Sequence, residues 1–95
     1  DVEGALHRHP DVLEAAAFSV PDARLGEAVG AAVQLKDGAL ISRDEMARFL
    51  EAHIAKFKIP AHLWIQHGAL IRGATDKIDR RAICASCLEN EEAKV

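Results

Sequence analysis

The chain has 95 residues, of which 49% are hydrophobic and 28% are charged, and its formal net charge is −3. This length gives one domain, residues 1–95, with little room for a pocket that encloses both a nucleotide and an acyl chain. The acidic balance and the scarcity of aromatic residues exclude nucleic-acid binding as the main function. No apolar run approaches the roughly 20 residues of a membrane span, and the first residues do not resemble a signal peptide.

The first half of the sequence predicts a helix and two strands. Apolar residues recur at helical spacing over residues 2–9, until a proline ends the pattern. The run from Val12 to Val20 is almost wholly apolar and predicts a buried strand. Residues 21–26 predict a turn, and Ala28 to Leu35 predicts a second strand closed by a Lys-Asp-Gly turn. The short connection favours a hairpin between the two strands.

The second half predicts a helix, a strand and a last helix. A Ser-x-x-Glu capping box begins a helix over residues 43–55, and Leu63 to Ile65 suggests a third strand. Residues 68–76 form a loop with two glycines, Lys77 to Leu88 predicts a helix, and the acidic residues 89–95 predict a frayed tail. The order α-β-β-α-β-α indicates an α+β fold, a small three-stranded sheet with helices packed on it.

Lys77 is the first residue whose position suggests chemistry. It stands where the polar loop 73–76 meets the predicted last helix, and functional residues concentrate on loops held by a rigid scaffold. A lysine there can act as a positive point charge for a phosphate or a carboxylate. From the residues alone, a solvated lysine at a helix start is the commoner arrangement, and Arg80 and Arg81 are most often part of a solvated helix face.

The cysteines and histidines predict no site of their own. Cys84 and Cys87 form a single Cys-x-x-Cys deep in the predicted last helix, whereas redox pairs of this spacing begin a helix and a zinc site needs two more ligands. We interpret them as reduced thiols of a cytoplasmic protein. The five histidines are scattered without the sequence context of a metal site, and we interpret them as surface residues with no metal bound.

Four segments carry motifs that gain meaning together. Val2 to Pro10 contains V-E-x-x-L-x-x-H-P, and Val20 to Glu27 contains V-P-D-x-x-x-G-E. Lys56 to Pro60 has the pattern K-[YF]-K-x-P, and Leu70 to Arg81 is similar to L-P-R-T-A-T-G-K-I-x-R-R. In this order and spacing, along nearly the whole chain, the set resembles the C-terminal domain of the adenylate-forming ligases, and among them the acyl-CoA synthetases.

The resemblance implies that the domain acts as part of a longer enzyme. A large N-terminal AMP-binding domain, absent from this chain, holds ATP, Mg²⁺ and a carboxylic acid, fatty or aryl. The acid and ATP give acyl-AMP and pyrophosphate, and the thiol of CoA then displaces AMP. The small domain is a lid that supplies the catalytic lysine of the last motif, Lys77 here, and then swings to present another face. The domain alone is expected to bind no cofactor and to be inactive.

The third motif has two readings. In some relatives this region meets the nucleotide end of CoA, which makes Lys56, Phe57 and Lys58 candidate CoA contacts, with the ring stacking on adenine and the lysines on phosphates. The alternative is that Phe57 packs in the core and the lysines are solvated.

The second and last motifs raise questions of local structure. Gly26 is expected to supply a positive φ or a bulge before its strand. The glycine that the family has before the lysine is Asp76 here, and its proline at the loop start is Ile71. We interpret Asp76 as a cap for the following helix; the alternative is a carboxylate that weakens the field of Lys77 or holds the lysine while the site is empty.

Two rival functions stay open. The first is an adenylation domain of a peptide or polyketide synthetase, a rival within the same family, in which a carrier-protein phosphopantetheine is the acceptor instead of CoA. A non-catalytic interaction module that keeps the motif only for its fold is the other rival, and Asp76 is the one feature in its favour.

Overall fold

The computed structural model describes residues 1–24 and 26–93, with side chains up to residue 90. The elements in chain order are α1 (Val2–His7), β1 (Val12–Asp22), β2 (Gly26–Leu35), α2 (Arg43–Glu51), a 3₁₀ turn (Lys56–Lys58), β3 (His62–Gln66) and α3 (Arg80–Ala93). The predicted order α-β-β-α-β-α and the α+β class are confirmed.

The three strands form one mixed sheet in the order β1-β2-β3. β1 and β2 are antiparallel and form the predicted hairpin, in which Asp22 lies opposite Gly26 and Val12 lies opposite Leu35. Gly26 has a φ of +81°, which confirms the positive φ expected of it. β3 runs parallel to β2, and the connection through α2 provides the crossover that a parallel pair requires.

The sheet buries a core on each face, because successive strand residues point to opposite sides. Ala15 and Leu63 face a first core with α1 and α2, whereas Ala16 and Trp64 face a second core with α3. The buried residues of the first core are Ala5, Leu6, Val12, Ala15, Ala31, Val33, Leu35, Met46, Leu50 and Leu63. Those of the second core are Ala16, Val20, Ala28, Ala32, Trp64, Leu70, Ile83 and Cys87.

Gly30 in the middle strand leaves room for the large side chains of the second core. A Cβ at this position would lie 2.9 Å from Val20 Cγ1 and 3.1 Å from both Phe18 Cε1 and Trp64 Cζ3. Such distances are closer than a carbon contact allows, so any side chain here would displace the aromatic rings. The indole and the phenyl ring, with centroids 5.9 Å apart, therefore pack over bare backbone.

The 3₁₀ turn and the loop after β3 lie at opposite ends of the sheet. The 3₁₀ turn enters β3 at the end that holds the β1–β2 turn, where His62 Nε2 lies 3.5 Å from Asp22 Oδ2. The loop leaves β3 at the other end, where β1 begins and Arg72 Nη2 donates to Glu14 Oε2 at 2.6 Å. The fold thus separates the two segments that the sequence marked as candidate sites.

The first helix and strand differ from prediction at their ends. α1 ends at His7 rather than at residue 9, because Arg8 and His9 donate to carbonyls three residues back, which tightens the last turn. β1 continues through Pro21 to Asp22, where a turn was expected. Pro21 lies in an edge strand, where a missing N–H disturbs the ladder least.

The two later helices also differ from prediction. α2 ends at Glu51 rather than at residue 55, because Ala52 and His53 donate to carbonyls three residues back. Its capping box is present as predicted, with Ser42 and Glu45 bonded to each other's backbone. α3 runs to Ala93, beyond the predicted end at Leu88, because Glu and Ala in this stretch favour helix; the fraying of residues 89–95 stays a prediction. Residues 94–95 lie outside the described part.

The interpretation of the histidines as surface residues holds for three of the five. His7, His53 and His67 are exposed. His9 and His62 are half-buried, since the ring of His9 packs 4.7 Å from that of Phe49 and the ring of His62 stacks 6.0 Å from the nearer ring of Trp64.

Candidate functional site

Lys77 lies on the outgoing arm of a tight hairpin that connects β3 with α3. The N–H of Gly73 donates to the Lys77 carbonyl at 2.8 Å, and the N–H of Asp79 donates to the Ile71 carbonyl at 2.9 Å. We call residues 71–79 the lysine hairpin. Its two arms pair like strands, so the backbone of residues 77–79 is engaged across the hairpin and does not start a helix.

The last helix begins at Arg80, three residues after the predicted start at Lys77. Asp79 caps it: Oδ1 accepts the N–H of Ala82 at 3.0 Å, and the Asp79 carbonyl accepts the N–H of Ile83 at 3.0 Å. A carboxylate at this position satisfies a free backbone donor of the first turn and faces the positive end of the helix dipole.

Asp76 does not cap the helix, so that interpretation is wrong. It stands at the turn of the lysine hairpin, where its N–H donates to the Gly73 carbonyl at 3.0 Å and its φ is +63°. This left-handed conformation accounts for the glycine that the resembled motif has here, because glycine adopts it freely. Aspartate is one of the few other residues that visits it routinely, so the fold tolerates the change.

Arg72 joins the turn of the lysine hairpin to the sheet. Its Nη1 donates to the Asp76 carbonyl at 2.8 Å, and its Nη2 donates to Oε2 of Glu14 on β1 at 2.6 Å. The two side chains are 39% and 31% exposed. We call this bridge the Arg72–Glu14 clamp; it attaches the least regular point of the hairpin to a strand.

Arg80, directly after the lysine hairpin, is held by α1. Its Nε and Nη2 donate to the two carboxylate oxygens of Glu3 at 2.6 and 2.5 Å, and Glu3 also accepts the N–H of Ala17 on β1 at 2.8 Å. The hydrogen bond from Arg80 lowers the pKa of Glu3, partial burial opposes this, and the Ala17 N–H lowers it further. The same pair raises the pKa of Arg80. Arg80 is thus ion-paired, although its side chain stays 52% exposed on the helix face.

The Lys77 side chain points to solvent. It is exposed, and among residues 1–24 and 26–90, whose side chains are described, its ammonium makes no hydrogen bond or ion pair. The hairpin that carries the lysine is fixed by its backbone bonds, by the clamp and by the cap at Asp79. The arrangement is a positive charge on a rigid stem, presented away from the domain.

The second candidate segment, Lys56–Lys58, is a 3₁₀ turn at the opposite end of the sheet, with no side-chain cap. Phe57 is 83% exposed, so the alternative that it packs in the core is wrong. The Nζ of Lys58 lies 5.9 Å from the centroid of its ring, at the outer limit of a cation–π contact. The segment presents an aromatic face and two positive charges to solvent, and its role as a CoA contact stays a prediction.

Sequence reasoning missed the residues that hold the lysine hairpin. Arg72, Glu3 and Arg80 all fall in the resembled motifs, which was the available signal, but nothing in the motifs pairs them. Glu14 carried no signal at all. Its contact with Arg72 joins residues 58 positions apart, and the contact of Glu3 with Arg80 joins residues 77 positions apart.

Comparison with known proteins places these features in context. Residues 1–86 match the AMP-binding enzyme C-terminal domain family. The chain is 37% identical over 94 residues, 99% of its length, to an oxalate–CoA ligase of Saccharomyces cerevisiae. It is 44% identical over 64 residues, 67% of its length, to a 3-oxocholest-4-en-26-oate–CoA ligase of Rhodococcus rhodochrous.

Solved structures of similar enzymes show the same fold. An amide bond synthetase from Marinactinospora thermotolerans matches 90% of the chain with a TM-score of 0.82 and 30% identity. An acyl-CoA synthetase from Brucella canis matches 95% of the chain with a TM-score of 0.80 and 29% identity.

All of these proteins are much longer than the chain. It covers 17% of the yeast ligase, 12% of the Rhodococcus ligase and 17% of each of the two structures. Within its own described residues, no helix is long and apolar enough to cross a membrane.

Proposed function

Because the chain belongs to the AMP-binding enzyme C-terminal domain family, we propose that it is the lid domain of an acid–CoA ligase, in which Lys77 promotes formation of the acyl-adenylate. The observation that carries the proposal is the exposed Lys77 ammonium on the braced lysine hairpin. The acid and the nucleotide are held by a large N-terminal domain that lies outside this chain.

A lysine suits the first half-reaction for electrostatic reasons. A carboxylate anion must approach the α-phosphate of ATP, which is itself anionic. A cation between the two offsets their repulsion and stabilises the charge that develops on both sets of oxygens. The ammonium of Lys77 has three donors for these oxygens and sits on a long side chain that reaches out of the domain. Contact with the N-terminal domain would exclude water and strengthen this interaction.

Magnesium is the usual companion of ATP in such a reaction. The described residues contain no group of three or more His, Cys, Asp or Glu side chains that could hold a metal ion. The proposal assigns Mg²⁺ and ATP to the N-terminal domain.

The second half-reaction would use the other end of the domain. Phe57 presents its ring for stacking on the adenine of CoA, and Lys56 and Lys58 present positive charge for its phosphates. Because this segment and the lysine hairpin lie at opposite ends of the sheet, one rotation of the rigid domain can withdraw the lysine and bring the aromatic face to the active site.

The test uses the full-length ligase that contains this chain. Lys77→Ala should slow acyl-adenylate formation by about 10²-fold or more, measured as pyrophosphate release in a single turnover. Thioester formation from pre-made acyl-adenylate should change far less. Lys36→Ala, which removes an exposed lysine from the β2–α2 connection, is the matched control and should leave both steps unchanged. An equal loss of both half-reactions in Lys77→Ala contradicts the proposed role.

The acceptor is tested in the same assay. One of the similar structures is an amide bond synthetase, so pre-made acyl-adenylate should be offered to CoA, to a carrier-protein phosphopantetheine and to an amine in parallel. We expect CoA to be the fastest acceptor. Faster reaction with either of the others would replace the CoA ligase by a peptide synthetase or an amide synthetase.

Two remaining points follow from the structure. A non-catalytic module was favoured by Asp76 alone, and the left-handed φ of Asp76 is one that aspartate adopts, so this residue no longer favours such a module. We also propose a cytosolic location, since Cys84 lies on α3 as a thiol, which suits a reducing compartment.

A further inference from the structure

We propose that Arg72 and Glu14 are positioning residues for adenylation: together they fix the peptide that precedes Lys77 and so set the direction in which the lysine leaves the domain. This inference rests on the proposed function of Lys77. Its basis is the Arg72–Glu14 clamp, in which one guanidinium binds the Asp76 carbonyl and a carboxylate of β1 at once.

The Asp76 carbonyl is the atom that governs the placement of Lys77. It belongs to the peptide group that ends at the Lys77 nitrogen, and a peptide group is planar. The bond from Arg72 Nη1 to this oxygen, at 2.8 Å, therefore fixes the plane from which the Lys77 Cα and its side chain continue.

The turn needs such a restraint because Asp76 is in the left-handed region, with φ +63°. This conformation costs more free energy for an aspartate than for a glycine. The right-handed region is open to the aspartate as an alternative. A change to that alternative would rotate the following peptide and redirect the Lys77 side chain. The bond from Arg72 favours the observed orientation of that peptide.

Glu14 supplies the fixed point of the clamp. It lies on β1, opposite Gln34 of the middle strand, and accepts from Arg72 Nη2 at 2.6 Å. The guanidinium is planar and carries donors on both sides, so it can bind the carboxylate and the carbonyl together. Lysine has no such fork, and Arg72→Lys is not expected to replace it.

The Arg72–Glu14 clamp is half-exposed, so its effect on catalysis can be distinguished from its effect on folding stability. Its side chains are 39% and 31% exposed, and ion pairs with this access to water contribute little to folding. By contrast, a displacement of a reacting group by about 1 Å can cost about 10²-fold in rate. Loss of the clamp should therefore appear in one catalytic step and leave the melting temperature nearly unchanged.

The experiment compares Arg72→Ala, Glu14→Ala and the double variant in the full-length ligase. Each single variant should slow single-turnover acyl-adenylate formation by about 10- to 10²-fold, and the double variant should be no slower than the slower single one, because one interaction is lost in all three. Thioester formation from pre-made acyl-adenylate should stay within about twofold of the unaltered enzyme.

Glu14→Ala separates positioning from the electric field of the charges. Removing a carboxylate near Lys77 raises the local positive potential, so a field effect alone predicts that Glu14→Ala leaves adenylation unchanged or speeds it. Positioning predicts the opposite sign. Arg48→Ala removes an exposed arginine from α2 and is the matched control for Arg72. His7→Gln is the control for Glu14, since His7 Nε2 lies 3.9 Å from its carboxylate.

The outcomes divide clearly. If Arg72→Ala fails to fold, Arg72→Gln, which keeps a single amide NH₂ group and no positive charge, takes its place and should show the same selective loss. Unchanged or faster adenylation in Glu14→Ala, or additive losses in the double variant, overturns the clamp as a positioning device. If Lys77→Ala itself leaves adenylation intact, the proposed function fails; if only the clamp variants do, this inference fails alone.

Discussion

The two candidate segments differ in how firmly the domain holds them. The lysine hairpin is fixed by bonds between its arms, by the Arg72–Glu14 clamp and by the Asp79 cap. The 3₁₀ turn has no side-chain cap, and its backbone bonds, Lys58 N–H to Ala55 O and Ile59 N–H to Lys56 O, are local. This contrast fits the two proposed tasks, since a charge that acts on reacting atoms must be placed closely, whereas an exposed ring can follow its ligand.

Charge reversal should separate the two segments most strongly. Lys77→Glu places an anion beside two reacting anions, so we expect acyl-adenylate formation in the full-length ligase to fall by about 10³-fold, more than in Lys77→Ala. Lys58→Glu in the 3₁₀ turn should leave that step within about twofold. Single-turnover pyrophosphate release measures both, and a comparable loss in Lys58→Glu would remove the distinction between the segments.

Backbone strain should matter in the lysine hairpin and not in the 3₁₀ turn. Asp76→Val forces a β-branched residue into the left-handed region and should lower the free energy of unfolding of the domain by about 1–2 kcal/mol. Asp76→Gly should change it by less than about 0.5 kcal/mol, because relief of strain and the entropy of the unfolded glycine oppose each other. Lys56→Val is the control. Urea unfolding gives the three values, and equal effects at residues 56 and 76 would contradict the assigned strain.

Loss of the exposed ring should affect the other half-reaction. Phe57→Ala should raise the KM for CoA by about tenfold, the effect of losing one stacked base, and should leave adenylation unchanged. Leu40→Ala, which removes a side chain from another residue that is 85% exposed, is the control. An unchanged KM for CoA in Phe57→Ala would leave the 3₁₀ turn without its proposed task.

Lowering the pH should slightly weaken the Glu3–Arg80 ion pair beside the lysine hairpin. Arg80 lowers the pKa of Glu3 in the folded state, so this pair adds stability above the ordinary pKa of a glutamate. That stability should disappear as pH falls through the lowered pKa, a loss of less than about 1 kcal/mol because the pair is partly exposed. Unfolding free energies of the domain from pH 7 down to the acid range, compared with those of Glu3→Gln, should show a shallower slope in the variant. Identical slopes would mean that Glu3 and Arg80 are not coupled in solution.

The predictable parts of the fold were those set by local pattern. Apolar periodicity and the Ser42–Glu45 capping box gave the element order and the start of α2, and the short connection gave the β1–β2 hairpin. The parallel pairing of β3 with β2 could not be predicted from the sequence. The residues that connect the two strands determine neither the direction of β3 nor the strand with which it pairs.

In the candidate site, sequence reasoning identified only the residue that a motif assigns a role. The resemblance singled out Lys77, but the start of the last helix was placed three residues too early, because Ile78, Ala82 and Ile83 recur at helical spacing. In the structure, residues 77–79 instead make backbone hydrogen bonds across the lysine hairpin, so the helix starts only after them. The clamp and the Glu3–Arg80 pair join distant residues, so no local pattern contains them.

The bond from the Ala17 N–H to Glu3 has a consequence for self-association. β1 is an edge strand, and free N–H groups along such an edge invite strand addition by another molecule and the growth of aggregates. Here the Glu3 carboxylate already accepts one of these N–H groups, that of Ala17 in the middle of the edge. The carboxylate is itself bound by Arg80. A second chain that docked along β1 would have to displace this charged pair, so the pair opposes strand addition at this edge.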